Sequence, residues 1–410
     1  NQYGKEGMCS ELYGVCDWDY DFRGHKAQGD WQAALGVTLR AHHLAWLTMK
    51  GEGKRDYPAS ISYQSPWYKE YKYIEDHFAR LNTVLTRGKP CVNVAVIHPI
   101  ETYWLYYGVK DKTYEIRKEL NQQFIDTNMW LLSGLVDFDY VSEALLPDQF
   151  KESKTGFQVG EMNYKAVVVS GCETLRETTV DALEKFCENG GKIIFVGDCP
   201  SFVEMQPTDR MKKLYEKSIN INHNKLKLLN ALVNERELDI TEQNGVRCDK
   251  LIYTLREDNN CKWLFVANMY DEDETKEFVK ARNRRIIING EFTPFEYDTL
   301  NGDIKPVEFE ILNGKTVIYK TFYRNDSLLL KLEEKSELSY RNPESEKTTI
   351  NEKCFLEPVE YELEEENVIV LDMGMFKIDD GKYQSFEEIR KIDRTVKEEL
   401  GYTKNEQQQP

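Results

Sequence analysis

Glu11 closes a short run of small and apolar residues, Gly7-Met8-Cys9-Ser10-Glu11, and a dense set of Trp, His, Asp and Arg side chains follows it. A carboxylate at the end of a strand can act as acid, base or nucleophile, and flat aromatic rings beside it can stack on a sugar. Four of the seven Trp (Trp18, Trp31, Trp46, Trp67) and five of the six His precede residue 100, with Asp17, Asp19, Asp21 and Asp30 close after Glu11. Sugar sites are built from such mixtures of rings and convergent polar groups. The expectation is a sugar-cleaving site with Glu11 as a catalytic carboxylate. Asp17, Trp18, Asp30, His43, Trp46, Arg55 and Asp56 are expected as substrate contacts or their supports. The competing reading gives Glu11 only a cap or an ion pair at a strand end.

The elements that must hold these groups read as strand, helix, parallel strand. Residues 25–35 are helix-like, and residues 37–43 form a second apolar strand followed by Trp46 and a polar loop with Glu52, Lys54, Arg55 and Asp56. In α/β barrels the chemistry sits where strands end, so Glu11, His43 and Trp46 would share one rim. His42 and His43 are adjacent on a strand and point to opposite faces, so they cannot chelate one metal together. His43 is expected nearer the rim, while His77, on the apolar face of a helix that follows, reads as a core histidine. Trp67 reads as a packing anchor.

At 410 residues the chain has room for several domains. A net charge of −17 without a sustained basic stripe opposes nucleic-acid binding. The apolar runs are shorter than the roughly 20 residues of a membrane span, which predicts a soluble protein. Nine cysteines without a C-x-x-C pair resemble reduced thiols, and a cytoplasmic location is expected. The first residue is not Met, which suggests a start processed or cut from something longer.

Further along, Tyr73, Ile74, His77, Phe78, Leu81 and Leu85 recur at helical spacing before an Arg87-Gly88-Lys89-Pro90 stop. Strands at 92–97, 137–141, 166–170 and 192–196 then alternate with helices at 114–135 and 178–189, the pattern of a doubly wound parallel sheet. Residues 214–233 read as a helical connector. From about residue 251 the period becomes two, with Asn289-Gly290, Asn301-Gly302 and Asn313-Gly314 as hairpin signals, which predicts an antiparallel β-sandwich. Strands near Tyr361 and at 368–372, a helix at 386–400 and a Gln-rich end complete the chain. Ser170-Gly171-Cys172-Glu173 ends a strand where amidotransferases keep a nucleophile, but the G-x-C-x-G elbow is absent. His98-Pro99 stands where a dinucleotide-binding fold would carry G-x-G-x-x-G, and no zinc signature occurs. A structural role is expected for this module.

Ser10-Glu11-Leu12-Tyr13-Gly14, Gly29-Asp30-Trp31-Gln32-Ala33-Ala34-Leu35-Gly36-Val37, His43-Leu44-Ala45-Trp46 and Lys54-Arg55-Asp56-Tyr57-Pro58-Ala59-Ser60 resemble large bacterial glycoside hydrolases of clan A. The likeness is to the α-L-rhamnosidase-like proteins of family 106 and, more distantly, to the β-galactosidases of family 42. It implies a multidomain α/β chain: the last strands and helices of a (β/α)8 barrel over 1–88, a flavodoxin/amidotransferase-like doubly wound parallel sheet over 89–235, an antiparallel β-sandwich over 236–345, and terminal strands and a helix over 346–410. It also implies an active-site glutamate at Glu11 and a sugar-lining imidazole at His43. No cofactor is required by it, although calcium is used near such glutamates in rhamnosidase relatives. A full barrel takes around 250 residues. The expectation is therefore the carboxyl-terminal part of a longer enzyme, whose second carboxylate lies upstream, acting on an oligosaccharide or glycoside, with the rest of the barrel or a further copy as partner. The alternatives are a non-catalytic carbohydrate-binding or scaffolding protein, and amide hydrolysis through Cys172.

Overall fold

A computed structural model describes residues 1–16, 18–48, 50, 60–269, 281–334, 360, 362 and 373–402. The first strand, β1 (Cys9–Leu12), leads into helix α1 (Phe22–Ala34), whose first backbone N–H groups are capped by the Asp21 carboxylate. Strand β2 (Leu39–His42) then pairs in parallel with β1, with Glu11 opposite Ala41 and Leu12 opposite His42. Helix α2 (Lys72–Leu85) buries Ile74, His77, Phe78, Leu81 and Leu85 on one face, the stripe that its 3.6-residue period encodes. Expected strands near Tyr361 and at 368–372 lie outside the described residues.

A five-stranded parallel sheet follows. Its strands are β3 (Val94–Ile97), β4 (Phe138–Val141), β5 (Ala166–Ser170), β6 (Lys192–Val196) and β7 (Ile219–Ile221), in the spatial order β4-β3-β5-β6-β7. Helices α3 (Ile100–Leu105), α4 (Lys110–Ser133) and α5 (Glu177–Glu188) lie between them in the chain. Every residue of β3 and of β5 is buried, so these strands read as continuous apolar runs without alternation. Residues 214–233 correct the expectation of a helical connector. A helix at Arg210–Lys217 gives way to β7, which pairs with β6 and ends the sheet before a further helix at Lys225–Ala231.

Two antiparallel sheets face each other next. One is four-stranded, with β8 (Leu238–Glu242), β11 (Arg282–Asn289), β15 (Lys315–Phe322) and β14 (Phe309–Leu312) in that order. The other is six-stranded and runs β13 (Ile304–Pro306), β12 (Phe292–Tyr297), β16 (Ser327–Glu334), β10 (Cys261–Asn268), β9 (Leu251–Asp258) and the two-residue strand Lys89–Pro90. Ile240, Leu255, Leu264, Ile286, Ile318 and Leu330 share the core between them. Asn301-Gly302 and Asn313-Gly314 do close hairpins, the latter with both residues at the positive φ that a type I′ turn demands. Asn289-Gly290 does not: β11 and β12 belong to different sheets, so this pair is a crossover.

The outer face of the six-stranded sheet is also covered. Ile252, Trp263, Phe265 and Leu329 pack against Ala33, Phe78, Leu81 and Leu85 of α1 and α2, forming one core. Helices α1 and α2 therefore lie between β1–β2 and the sandwich. Among the described residues, no helix is long and apolar enough to cross a membrane.

Candidate active site

The register of β1 on β2 sorts their side chains onto two faces. Paired strands keep matched residues on the same side, so Cys9, Glu11, Leu39 and Ala41 share one face and Ser10, Leu12, Arg40 and His42 the other. The second face is the one turned to the helices, since Arg40 stacks on the Phe78 ring of α2 at 3.7 Å and Leu12 is buried. Glu11 lies on the face turned away from them. In a barrel whose helices form the outer ring, that is the inner wall.

Glu11 extends outward with its side chain 65% exposed, and its Oε1 lies 3.8 Å from Nε2 of His43. His43 follows β2 directly, its backbone N–H donating to the Leu12 carbonyl, so the hydrogen bond that ends the strand pair also seats the imidazole. The ring lies against Gly14: a Cβ there would approach Nδ1 to 2.3 Å, so only glycine lets the chain after β1 pass this close. Val15, next in line, holds φ at 62°, a costly conformation for a β-branched residue. The loop that carries the chain away from Glu11 is thus shaped around His43.

Beyond the strand ends, Trp18 and Trp46 meet with ring centroids 6.1 Å apart. Trp46 is buried, and its carbonyl accepts from the Gln64 side chain at 2.8 Å, so it anchors the rim while Trp18 is the more open ring. Asp17, Arg55 and Asp56 lie outside the described residues. Asp30 is not brought to Glu11. Its carboxylate is buried between α1 and α2, with Oδ2 2.5 Å from Lys26 Nζ and Oδ1 2.7 Å from His77 Nε2, which leaves neither oxygen for a substrate. That is a corrected placement for Asp30. Among the described residues, no group of three or more His, Cys, Asp or Glu side chains could hold a metal ion.

The sequence reading missed a polar layer behind the site. Arg40 Nη1 donates to Tyr13 Oη at 3.1 Å and its Nη2 to Glu75 at 3.2 Å, while His42 Nε2 lies 2.9 Å from the other Glu75 oxygen. The His42 hydrogen bond, opposed by partial burial and aided by Arg40, holds the Glu75 carboxyl below its usual range, so it is ionised and His42 Nε2 is the donor. Burial pushes the Tyr13 hydroxyl up to about 12, despite the Arg40 guanidinium, and brings His25 down to about 4. Both stay neutral near pH 7. The alternation Arg40, His42 on one face was readable in the sequence; their partner on α2 was not.

No protein-family model and no curated protein matches this chain. Among solved structures, a rhamnosidase from Novosphingobium sp. PP1Y superposes with a TM-score of 0.60 at 15% identity, over 83% of this chain and 33% of that one. Gan42B, a GH42 β-galactosidase from G. stearothermophilus, gives 0.51 at 10% identity, over 76% and 51%. The chain resembles clan A glycoside hydrolases. At these identities the likeness is one of fold, and the chain spans a third of the rhamnosidase and half of the β-galactosidase.

Proposed function

We propose that this chain is the part of a clan A glycoside hydrolase in which β1–α1–β2–α2 contributes the end of a (β/α)8 barrel. The parallel sheet is then its flavodoxin-like domain and the two antiparallel sheets its β-sandwich. The observation that carries the reading is the placement of Glu11. It stands at the carboxyl end of a parallel strand, on the face away from the helices, with His43 3.8 Å away. Glycosidic cleavage uses two carboxyl groups, and Glu11 is one, as nucleophile if its partner stands about 5 Å away or as general base if it stands beyond about 6.5 Å. His43 and Trp18 contact the sugar, and the Glu75 layer fixes β2.

The outer edges of β1 and β2 have no strand partner among the described residues, and Met8 and Leu39 are more than half exposed. Further barrel strands would cover this surface, as natural proteins cover open edges. The same open edges favour a second reading, a carbohydrate-binding protein without turnover. Hydrolysis of nitrophenyl α-L-rhamnoside and β-D-galactoside by the full-length parent that carries the remaining barrel strands, and by its Glu11→Gln variant, separates the two. Loss of about 10²–10⁴-fold in kcat in the variant supports the hydrolase. Unchanged turnover removes Glu11 from the mechanism, and saturable glycoside binding without turnover in either form supports the second reading.

A further inference from the structure

The parallel sheet carries a cavity that the sugar-cleaving reading does not use. Chain order and spatial order differ at β3: one connection from it leads to β4 on one side, and the next strand, β5, lies on its other side. Loops leaving the carboxyl ends of β3 and β5 therefore diverge, and in open α/β sheets this is where small molecules are held. A cavity of about 220 Å³ opens there, between the His98-Pro99-Ile100 turn after β3, Phe124 of α4, and Gly171 after β5.

Its walls define what fits. Ile100, Tyr103, Leu120 and Phe124 present apolar and aromatic surface, while His98 and Asn121 are the polar groups besides the Tyr103 hydroxyl and the backbone. The His98 ring stands edge-on to Phe124 and Tyr140, each with centroids 5.5 Å away, and those two rings stack on each other at 5.4 Å. Its orientation is thus set by rings alone, and neither ring nitrogen makes a hydrogen bond to a described residue. Burial lowers the affinity of His98 for a proton, so near pH 7 it offers one donor and one acceptor. At Gly171 a Cβ would find nothing nearer than Gln123 Oε1 at 3.5 Å, which leaves the floor open.

We infer that this cavity binds a small, uncharged molecule with a single flat heteroaromatic ring, stacked on Phe124 and Tyr103 and hydrogen-bonded by His98 and Asn121. No Lys or Arg lines the cavity, which leaves a phosphate without a counter-charge. The volume lies below the roughly 300–1,000 Å³ of cofactor-sized pockets, so a nucleotide is too large. A pyranose brings five or more hydroxyl and ring oxygens against two polar side chains, and burying unpaired hydroxyls is unfavourable. A flat ring with one or two polar atoms matches both the walls and the anchors.

The test is titration of the whole protein with nicotinamide and adenine, alongside methyl α-L-rhamnoside and inorganic phosphate, by saturation-transfer NMR and calorimetry. Asn121 is exposed on α4, so Asn121→Trp plugs the mouth without touching the core; circular dichroism and the melting curve confirm the fold of each variant. Expected are saturable binding of at least one heteroaromatic probe, its loss in Asn121→Trp, a weakening of about tenfold in His98→Ala, and no change in Glu11→Gln. Absence of saturable binding by both heteroaromatic probes overturns the inference. So does binding that survives Asn121→Trp, or rhamnoside or phosphate binding abolished by that plug.

Discussion

Replacing Asp30 by Asn should weaken the fold strongly while leaving the Glu11 site intact. The carboxylate joins three segments. Lys26, one turn earlier on α1, also donates to the Asn325 carbonyl at 3.0 Å and to Ser327 Oγ at 2.9 Å. His77 of α2 passes the connection on to Thr299 through Nδ1 at 2.8 Å. Burial opposes the charge on Asp30, yet Lys26 and His77 overrule it and hold its carboxyl down at about 2. His77 stays neutral because burial outweighs Asp30, so Nε2 carries the proton toward Asp30 and Nδ1 accepts from the Thr299 hydroxyl. A drop from 3.8 to about 2 corresponds to about 2 kcal/mol of stability. Asn adds a donor–donor conflict and leaves the Lys26 ammonium, 15% exposed, without its counter-ion. Removing one member of a buried pair costs about 3–5 kcal/mol. Urea unfolding followed by Trp fluorescence, with Trp31 and Trp263 in this core, should show a midpoint lower by about 1–3 M. Because the folded value is depressed, the stabilisation is complete above pH 4 and is lost as pH falls through about 2. The gap between wild type and variant should shrink accordingly in acid. A midpoint unchanged at pH 7, or a gap that ignores pH, would refute the buried ion pair. An increase in KM for a glycoside with stability unchanged would instead return Asp30 to the substrate.

Burial raises the Glu143 carboxyl to about 7, although the Arg176 N–H donates to it at 2.8 Å. Its stabilising neutral form is fully present below about pH 4.5 and is lost as pH rises through 7. Glu143→Gln should therefore gain up to about 3 kcal/mol relative to wild type at pH 8 and little at pH 4.5, read from denaturation at the two pH values. Equal effects at both would exclude ionisation as the cause. Burial also drives the Cys172 thiol well above its usual range, and its sulfur is enclosed beside Glu143. Iodoacetamide should alkylate exposed Cys9 long before Cys172 in the native protein, as mass spectrometry of timed digests will show. Comparable rates at the two thiols would reopen nucleophilic chemistry through Cys172.

Strands with strong local signatures were legible in the sequence. Residues 167–169 and 193–196 are unbroken runs of β-branched and aromatic residues because both faces of their sheet are covered, and strands β5 and β6 fall where the runs do. Strand β7 escaped notice because Ile219-Asn220-Ile221 is only three residues long, lies at a sheet edge and has a charged helix before it. Asn289-Gly290 misled for a different reason. Turn chemistry specifies a local reversal, but Phe292 begins a strand that pairs with β16 and β13 rather than with β11, and only the packing of the two sheets decides that.

The candidate site was legible to the depth of one strand pair. Glu11 and His43 could be placed at strand ends by pattern alone, whereas the group that aligns them could not. Glu75 sits on α2, 33 residues from His42, as a half-exposed glutamate like many others, and nothing in its neighbours marks it as a partner. Yet a parallel pair of four-residue strands has little of its own to fix its register, and a slip of one residue would send Glu11 to the helix side. Arg40 and His42, gripping the two oxygens of Glu75 while the guanidinium lies on Phe78, tie β2 to α2 at one position. Because α2 is in turn packed on Trp263 and Leu329 of the sandwich, the alignment of Glu11 with His43 is tied through α2 to that domain.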